Sequence, residues 1–445
     1  VSAPPPPAAL KGPASRTVRT TVVLLFVAWL VDYADRLVIN LVLPSFGEEF
    51  GLGRGQQGLV VSAFFLSYAL CQIPGGWLAD RFGARRVICW ALLAWSLFTA
   101  LTGFAWSFAA LLVMRFAFGA AEGVFPPASM KALVERTVPE ERMGANGLIM
   151  SSNAIAAVVT PLAVAPLIAV FGWRSAFFST AALGVAVYVA VRLWLPAPLP
   201  RAADGSPAEG FPADGSPAAA HGVRGLRGLR EILRVGVLWR FALMMFGYNV
   251  IVWGLTTWMP SYLTEERGVP LSSAGALMAI PALGAAAATI LGGRIADRLG
   301  GHHRKVIVPG MTVAGLFLLL MAFSDSLTGF AVFGTLAVFS GSLGYMPLFA
   351  VPLRGLAPGH VGVGSAVIVF GGQVAGMVAP PVMGFLADAI SFRAAFAFLV
   401  LGAAVAVLMA LLTPQDADSF RAVAGSLGEA SDRSASTSTS TEELS

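Results

Sequence analysis

Long apolar runs dominate the chain, separated by short stretches of Gly, Pro and charge. A hydrocarbon core of about 30 Å needs about 20 apolar residues per helix. Cut at those breaks, the sequence predicts twelve spanning helices, at 20–42, 57–79, 87–107, 108–131, 144–170, 174–196, 236–260, 271–294, 306–324, 327–350, 362–387 and 392–413. The third and fourth meet at Ser107 with hardly any loop. Three stretches fall outside the pattern. Residues 1–19 are Pro-rich and basic, with no small-residue cleavage site after a short apolar core, and read as a disordered cytosolic tail rather than a signal peptide. Residues 197–235 contain ADGSPA twice and read as a cytosolic linker. Within that linker Arg224, Arg227, Arg230 and Arg234 alternate with Leu226, Leu229 and Leu233, which suits either a short basic helix on the headgroups or a solvated segment. Residues 414–445 end in a Ser/Thr run and read as a second disordered tail.

The spans repeat. GGWLADRFG at 75–83 recurs as GGRIADRLG at 292–300, and Pro161 and Arg174 recur at the same spacing as Pro380 and Arg393. Two six-helix bundles, 20–196 and 236–413, in parallel orientation are the natural inference.

Composition agrees with this pattern and excludes soluble classes. Apolar residues make up 57% of the 445 positions and charged residues 12%, against about 25% charged in soluble domains. So few charges cannot cover a water-facing surface. Cys71 and Cys89 both lie in apolar runs and read as small buried hydrophobes, and the four histidines have no ligand spacing. No metal site and no nucleophile–base pair is written here. The net charge of +5 follows from topology and needs no nucleic-acid partner. Of the 29 Lys and Arg residues, Arg54, Arg174, Arg267 and Arg393 fall on one side, Arg36 and Arg115 lie within spans and Arg192 near a span end. The others fall in the tails and even-numbered connections. The expected orientation therefore has both termini cytosolic.

Well inside the spans stand five ionisable residues, Asp32, Asp35, Arg36, Arg115 and Glu122, all in the first half. A charge at the bilayer centre costs about 2.5–3.5 kcal/mol even on the lenient insertion scale, so five together call for partners and a wet cavity. Arg115 and Glu122 are two turns apart on one helix face. Asp35 and Arg115 fall at similar depth, which makes an Asp35–Arg115 pair geometrically reasonable. A network that only fixes helix packing is the bland alternative. The second half has no deep charge but carries Tyr248, Asn249, Trp253, Thr256 and Thr257 in the seventh span, Tyr345 in the tenth and Gln373 in the eleventh.

With GWLADRFGARR at Gly76–Arg86 and a degenerate copy from Gly293, the chain resembles the major facilitator superfamily over about 20–413. More narrowly, YADR at Tyr33–Arg36 followed by Asn40, SYALCQIPGG at Ser67–Gly76 and RFAFGAAEG at Arg115–Gly123 resemble its anion:cation symporter branch, whose members import sugar acids and other organic anions with protons. The resemblance implies an all-α protein of twelve helices in two pseudo-symmetric bundles, in the inner (plasma) membrane. It implies a monomer that moves a small organic anion through the lipid bilayer by alternating access, with no cofactor beyond the proton as coupling ion. It assigns Arg36 to the substrate carboxylate, with Tyr33, Tyr68, Arg115, Asn153, Tyr248 and Gln373 around it, and Asp35 and Glu122 to the protons. It makes Gly76, Asp80, Arg81, Gly83, Arg85 and Arg86, with Asp297 and Arg298 in the second copy, a conformational latch. Asp32 matches no position of that pattern. A proton-driven efflux antiporter for hydrophobic compounds is the rival, but the fifth span lacks the Gly-Pro-rich motif of that branch.

Overall fold

The computed structural model describes residues 13–199, 235–300, 302–356 and 360–423. The basic segment between the halves lies outside them. The first half contains α1 (Pro13–Phe50), α2 (Arg54–Phe82), α3 (Ala84–Thr102), α4 (Phe108–Gly123), α5 (Phe125–Val134), α6 (Pro139–Phe171) and α7 (Trp173–Trp194). The second contains α8 (Gly236–Ser261), which ends in one π turn at Tyr262–Glu266, then α9 (Leu271–Arg298), α10 (Arg304–Ala322), α11 (Leu327–Ser342), α12 (Tyr345–Gly355), α13 (Val361–Ala389) and α14 (Phe392–Leu412). Eleven segments among the described residues are long and apolar enough to cross a membrane. The 38-residue α1, with its buried charges, packs among them in the first half. Large apolar side chains such as Ile73, Val113, Val170 and Leu193 point outward, where lipid replaces water.

Local chemistry explains the breaks. Ser107 caps α4 by accepting from the Ala110 amide at 3.2 Å, which separates the third and fourth crossings. The fourth crossing is itself two helices. Pro126 and Pro127 at the first positions of α5 supply no amide hydrogen to continue the α4 ladder. The tenth crossing breaks in the same way at Leu343 and Gly344, just before Pro347.

Two boundaries differ from the sequence expectation. Helix α1 starts at Pro13, inside the 1–19 segment expected to be disordered. Residues 417–423, inside the expected C-terminal tail, form a short helix. Asp416 caps it, accepting from the Ser419 amide at 2.8 Å, and Phe420 is fully buried against Phe241. One aromatic anchor and one cap hold a segment whose composition looks like a tail.

Each half has its own apolar core, one built almost wholly from residues 22–195 and the other from 237–420. The halves meet closely along α2 and α13. Gly58 lies on the backbone of Pro380 and Pro381, and Gly384 on the carbonyl of Arg54, so neither position has room for a Cβ atom. Ser62 donates to the carbonyl of Met377 at 2.5 Å. On the other flank Gly275 of α9 meets the carbonyl of Pro161 in α6.

A charged clasp closes one end of this interface. Arg54 reaches Glu265 at 2.9 Å, Glu266 at 3.5 Å and Asp388 at 4.0 Å, and the Gly55 amide donates to Asp388 at 2.9 Å. Among the described ion pairs these three alone join the halves. At the opposite end Gly144 and Gly147 of α6 face open space. The halves are clasped at the Arg54 end, and at the end bearing the Asp80 loop none of the described ion pairs joins them. Partly exposed pairs of this kind contribute about 0.2–1 kcal/mol each, so Arg54→Ala, which removes three, is expected to move the balance toward the opposite conformation by roughly 3- to 150-fold. Spin labels at Trp106 and Ser272 read this directly. A new long-distance population is expected, and an unchanged distribution would remove the clasp from the account.

Candidate functional site

Arg36 sits at the centre of the buried charges. Its position one turn after Asp32 on α1 puts both side chains on one helix face, and its Nη2 lies 3.1 Å from Asp32 Oδ2. The same nitrogen lies 3.2 Å from Glu122 Oε2 on α4. Both carboxylates are fully buried and the arginine is 8% exposed. The rings of Tyr68, Phe64 and Tyr33 surround its guanidinium, with centroids 4.5, 5.1 and 5.6 Å from Cζ. This aromatic wall holds the flat cation in one orientation.

The pairing differs from the sequence expectation in one respect. Asp35 forms no ion pair with Arg115 among the described contacts. Asp35 Oδ2 instead accepts a 2.5 Å hydrogen bond from Thr99 on α3. Arg115 lies over the rings of Phe118 and Phe177, at 4.9 and 5.2 Å, and its Nε and Nη2 have no hydrogen-bond partner. Arg115 and Glu122 share one face of α4 two turns apart, so depth decides this: Glu122 meets Arg36 of α1, and Arg115 lies at the level of Phe177 of α7.

A narrow cavity opens beside Arg36 at the junction of the halves. Arg36, Asn40, Phe64, Phe65 and Arg115 line it from the first half, and Trp253 and Thr257 line it from the second. Trp253 bridges the halves through edge contact with Phe65 at 4.7 Å and a longer contact with Tyr33 at 6.5 Å. The free volume is about 10 Å³, close to the least that holds one water. A bound organic molecule therefore requires these aromatic rings to part. Five buried polar atoms on the lining residues lack partners: Arg36 Nε, Asn40 Oδ1, Arg115 Nε and Nη2, and Thr257 Oγ1. Buried polar groups are ordinarily satisfied, and here both donors and acceptors stand free on the cavity wall.

Other expected residues lie around this centre rather than on it. Tyr248 contacts Ser342 at 3.4 Å and meets Tyr345 in a tilted ring contact at 5.5 Å. Asn153 on α6 and Gln373 on α13 are half-buried, with side-chain oxygens unpaired. Phe64, Phe65 and Thr99 were not singled out in the sequence, because an aromatic pair and one hydroxyl in apolar helices carry no distinguishing pattern. No group of three or more His, Cys, Asp or Glu side chains suited to a metal occurs among the described residues, and Cys71 and Cys89 are free.

The loop motif is also specific in its contacts. Gly83 takes φ +87° in the sharp turn between α2 and α3, which a side chain would strain. Asp80 pairs with Lys131 on α5 at 2.8 Å, rather than with its neighbouring arginines, and Lys131 also donates to the Ala79 carbonyl. Arg81 lies over Trp77 and Phe82, and Arg85 donates to the carbonyl of Arg192. In the second copy Asp297 approaches Arg354 at 4.0 Å. Each of these contacts stays within its own half.

Two pseudo-symmetric helical halves around a polar cavity define a polytopic membrane transporter. The model of the Major Facilitator Superfamily matches residues 24–304 and 263–432, and the chain belongs to that family. It is a transporter and not an enzyme. The chain is 30% identical to the "Probable sulfoacetate transporter" of Cupriavidus necator over 81% of this chain and 85% of that protein. It is 27% identical to the D-galactonate transporter of Escherichia coli O6:H1, covering 88% and 93%, and 26% identical to the hexuronate transporter of Bacillus subtilis, covering 82% and 87%. The galactonate and hexuronate transporters match the sugar-acid branch to which the YADR region pointed. Among solved structures, a bacterial homologue of the human lysosomal transporter Spinster, inward-facing and unoccupied, superposes with a TM-score of 0.72 at 18% identity, over 95% of this chain and 98% of that one.

Proposed function

We propose that the protein imports a small organic anion, a sugar acid or related carboxylate, across the inner (plasma) membrane together with protons, by alternating access. The observation that carries this reading is Arg36, a buried guanidinium at the junction of the halves, held on two carboxylates. Such a cation can exchange one internal carboxylate for that of a substrate, and the displaced group then needs a proton. The names of the relatives agree, since they include transporters of galactonate, hexuronate and sulfoacetate. Tyr33 and Tyr68 frame the bound carboxylate. Arg115, Asn153, Tyr248 and Gln373 supply hydrogen bonds to the rest of the molecule once the rings part. Glu122 and Asp35 carry the protons. The Lys and Arg distribution supports cytosolic termini, and with that orientation the Arg54 clasp is the external gate.

Purified protein in proteoliposomes tests the reading with D-glucarate, D-galactonate, glucuronate and sulfoacetate. Uptake of at least one acid is expected to rise with an imposed inward proton gradient. If Glu122 and Asp35 each bring one proton, a monoanion enters with a net positive charge, and the membrane potential adds about 2.3 kcal/mol per 100 mV to its accumulation. A dianion moves without that help. Monoanion uptake indifferent to an imposed potential at fixed pH gradient points to a single proton, and failure to take up any of the four acids overturns the reading.

A further inference from the structure

We infer that Asp32 is a proton-accepting residue of the transport cycle, competing with the substrate carboxylate for Arg36. This rests on the function proposed above and assigns a role to a group which that function leaves unused.

The argument begins with hydrogen count. Nη2 of an arginine carries two hydrogens, and here it faces both Asp32 Oδ2 at 3.1 Å and Glu122 Oε2 at 3.2 Å. A carboxylate binds a guanidinium best through two parallel N–H bonds. Either fork, Nη1 with Nη2 or Nε with Nη2, includes this nitrogen. Nε has no partner, so the second fork is half prepared and half taken. A substrate carboxylate cannot bind in fork geometry until at least one internal carboxylate gives up its bond to Nη2.

Charge count then decides how many must yield. Asp32, Glu122 and Arg36 together carry a formal charge of −1, and a substrate carboxylate makes it −2. One proton on Glu122 restores only −1, with one cation left between two anions. A second proton on Asp32 brings the set to zero. In both transfers a proton bonds to a carboxylate oxygen, the charge-assisted bond to Nη2 breaks, and the substrate oxygen accepts from that N–H instead.

The surroundings offer Asp32 no other relief. It is fully buried, and its Oδ1 has no hydrogen-bond partner. The titratable groups that act on it are Arg36, Asp35 and Tyr33 of its own helix, Tyr68 of α2 and Glu122 of α4. Only Arg36 among them is a cation, and it is the group the substrate removes. Asp35, by contrast, is held by Thr99 and makes no ion pair with Arg36 among the described contacts. Asp32 and Glu122 therefore titrate as a pair around one arginine, and substrate binding reads the total.

The test counts protons on binding. Calorimetry of the purified wild-type protein with D-glucarate, D-galactonate and sulfoacetate, in buffers of differing ionisation enthalpy, gives the protons taken up per anion bound. Well on the alkaline side of the pair's titration, about two are expected, and the affinity falls about a hundredfold per pH unit. Asp32→Asn keeps the shape and the hydrogen bonding of the protonated acid. It is expected to take up one proton fewer and to bind more tightly at alkaline pH, while Asp32→Glu restores the wild-type count. An Asp32→Asn protein with an unchanged proton count overturns the inference and leaves the transport reading intact. If Asp32→Asn fails to fold, an Asp35→Asn protein decides instead: Asp32 and Glu122 alone should still give two protons per anion and a hundredfold loss per pH unit, and one proton, a tenfold loss, overturns the inference. A wild-type protein that binds none of the three acids overturns the transport reading itself.

Discussion

Arg36→Ala is expected to abolish binding of the transported anion. The substrate carboxylate loses the cation it pairs with, a loss of about 2–5 kcal/mol for a desolvated charge pair, or roughly thirtyfold to several thousandfold in affinity. Arg36→Lys should fail as well, because a single ammonium cannot reproduce the fork or lie flat against Tyr68 and Phe64. The substitution also leaves Asp32 and Glu122 buried without their cation, and breaking a buried ion pair from one side costs about 3–5 kcal/mol of stability. Stability and binding must therefore be separated. The triple variant Arg36→Ala, Asp32→Asn, Glu122→Gln removes all three charges together and should regain most of the thermal stability while still failing to bind. Calorimetry on both proteins checks this. Affinity retained in Arg36→Ala would move the anion site to Arg115, the other guanidinium on the cavity wall, whose Nε and Nη2 are unpaired.

The crossings were legible because the bilayer imposes a length, and a run of about 20 apolar residues is rarely anything but a spanning helix. The break of the fourth crossing at Val124 was not read, although Pro126 and Pro127 announce it. Hydropathy averages over the break, and only the missing amides cut the ladder. The site was legible as a set of charges and illegible as a set of pairs. Asp32 and Arg36 are one turn apart, so their contact follows from helix geometry alone. Arg115 and Glu122 share one face of α4, so which of them meets Arg36 depends on the register of α4 along its neighbours, and that is fixed by tertiary packing. Gly119 and Gly123 of α4 rest on the backbones of Phe64 and Tyr68 in α2, and this close approach sets the register. Thr99 was invisible for a similar reason. A hydroxyl in an apolar helix commonly bonds its own helix, and nothing in the sequence shows that it reaches Asp35.

Glu122→Gln is expected to remove one coupling proton from each transport cycle while leaving the substrate cycle intact. In the described conformation the Glu122 carboxylate is held 3.2 Å from Arg36, with its other oxygen unpaired. When a substrate takes the arginine, Glu122 is left as a buried anion without a cation in contact, and a proton on its carboxyl removes that cost. When the substrate leaves, Arg36 returns and the proton is released. The residue thus binds a proton only while the substrate is bound, which is the condition for symport. Glutamine copies the size and hydrogen bonding of the protonated acid and never releases anything. The variant should bind the anion at least as well as the wild type at alkaline pH, since the protonated form no longer has to be made. It should exchange external for internal substrate in counterflow at close to the wild-type rate. Driven by an imposed pH gradient, its accumulation should fall, because one proton fewer crosses per cycle. At a gradient of one pH unit, each missing proton lowers the attainable accumulation about tenfold. Gradient-driven accumulation equal to that of the wild type would show that Glu122 carries no coupling proton, and the task would pass to Asp35 and Asp32.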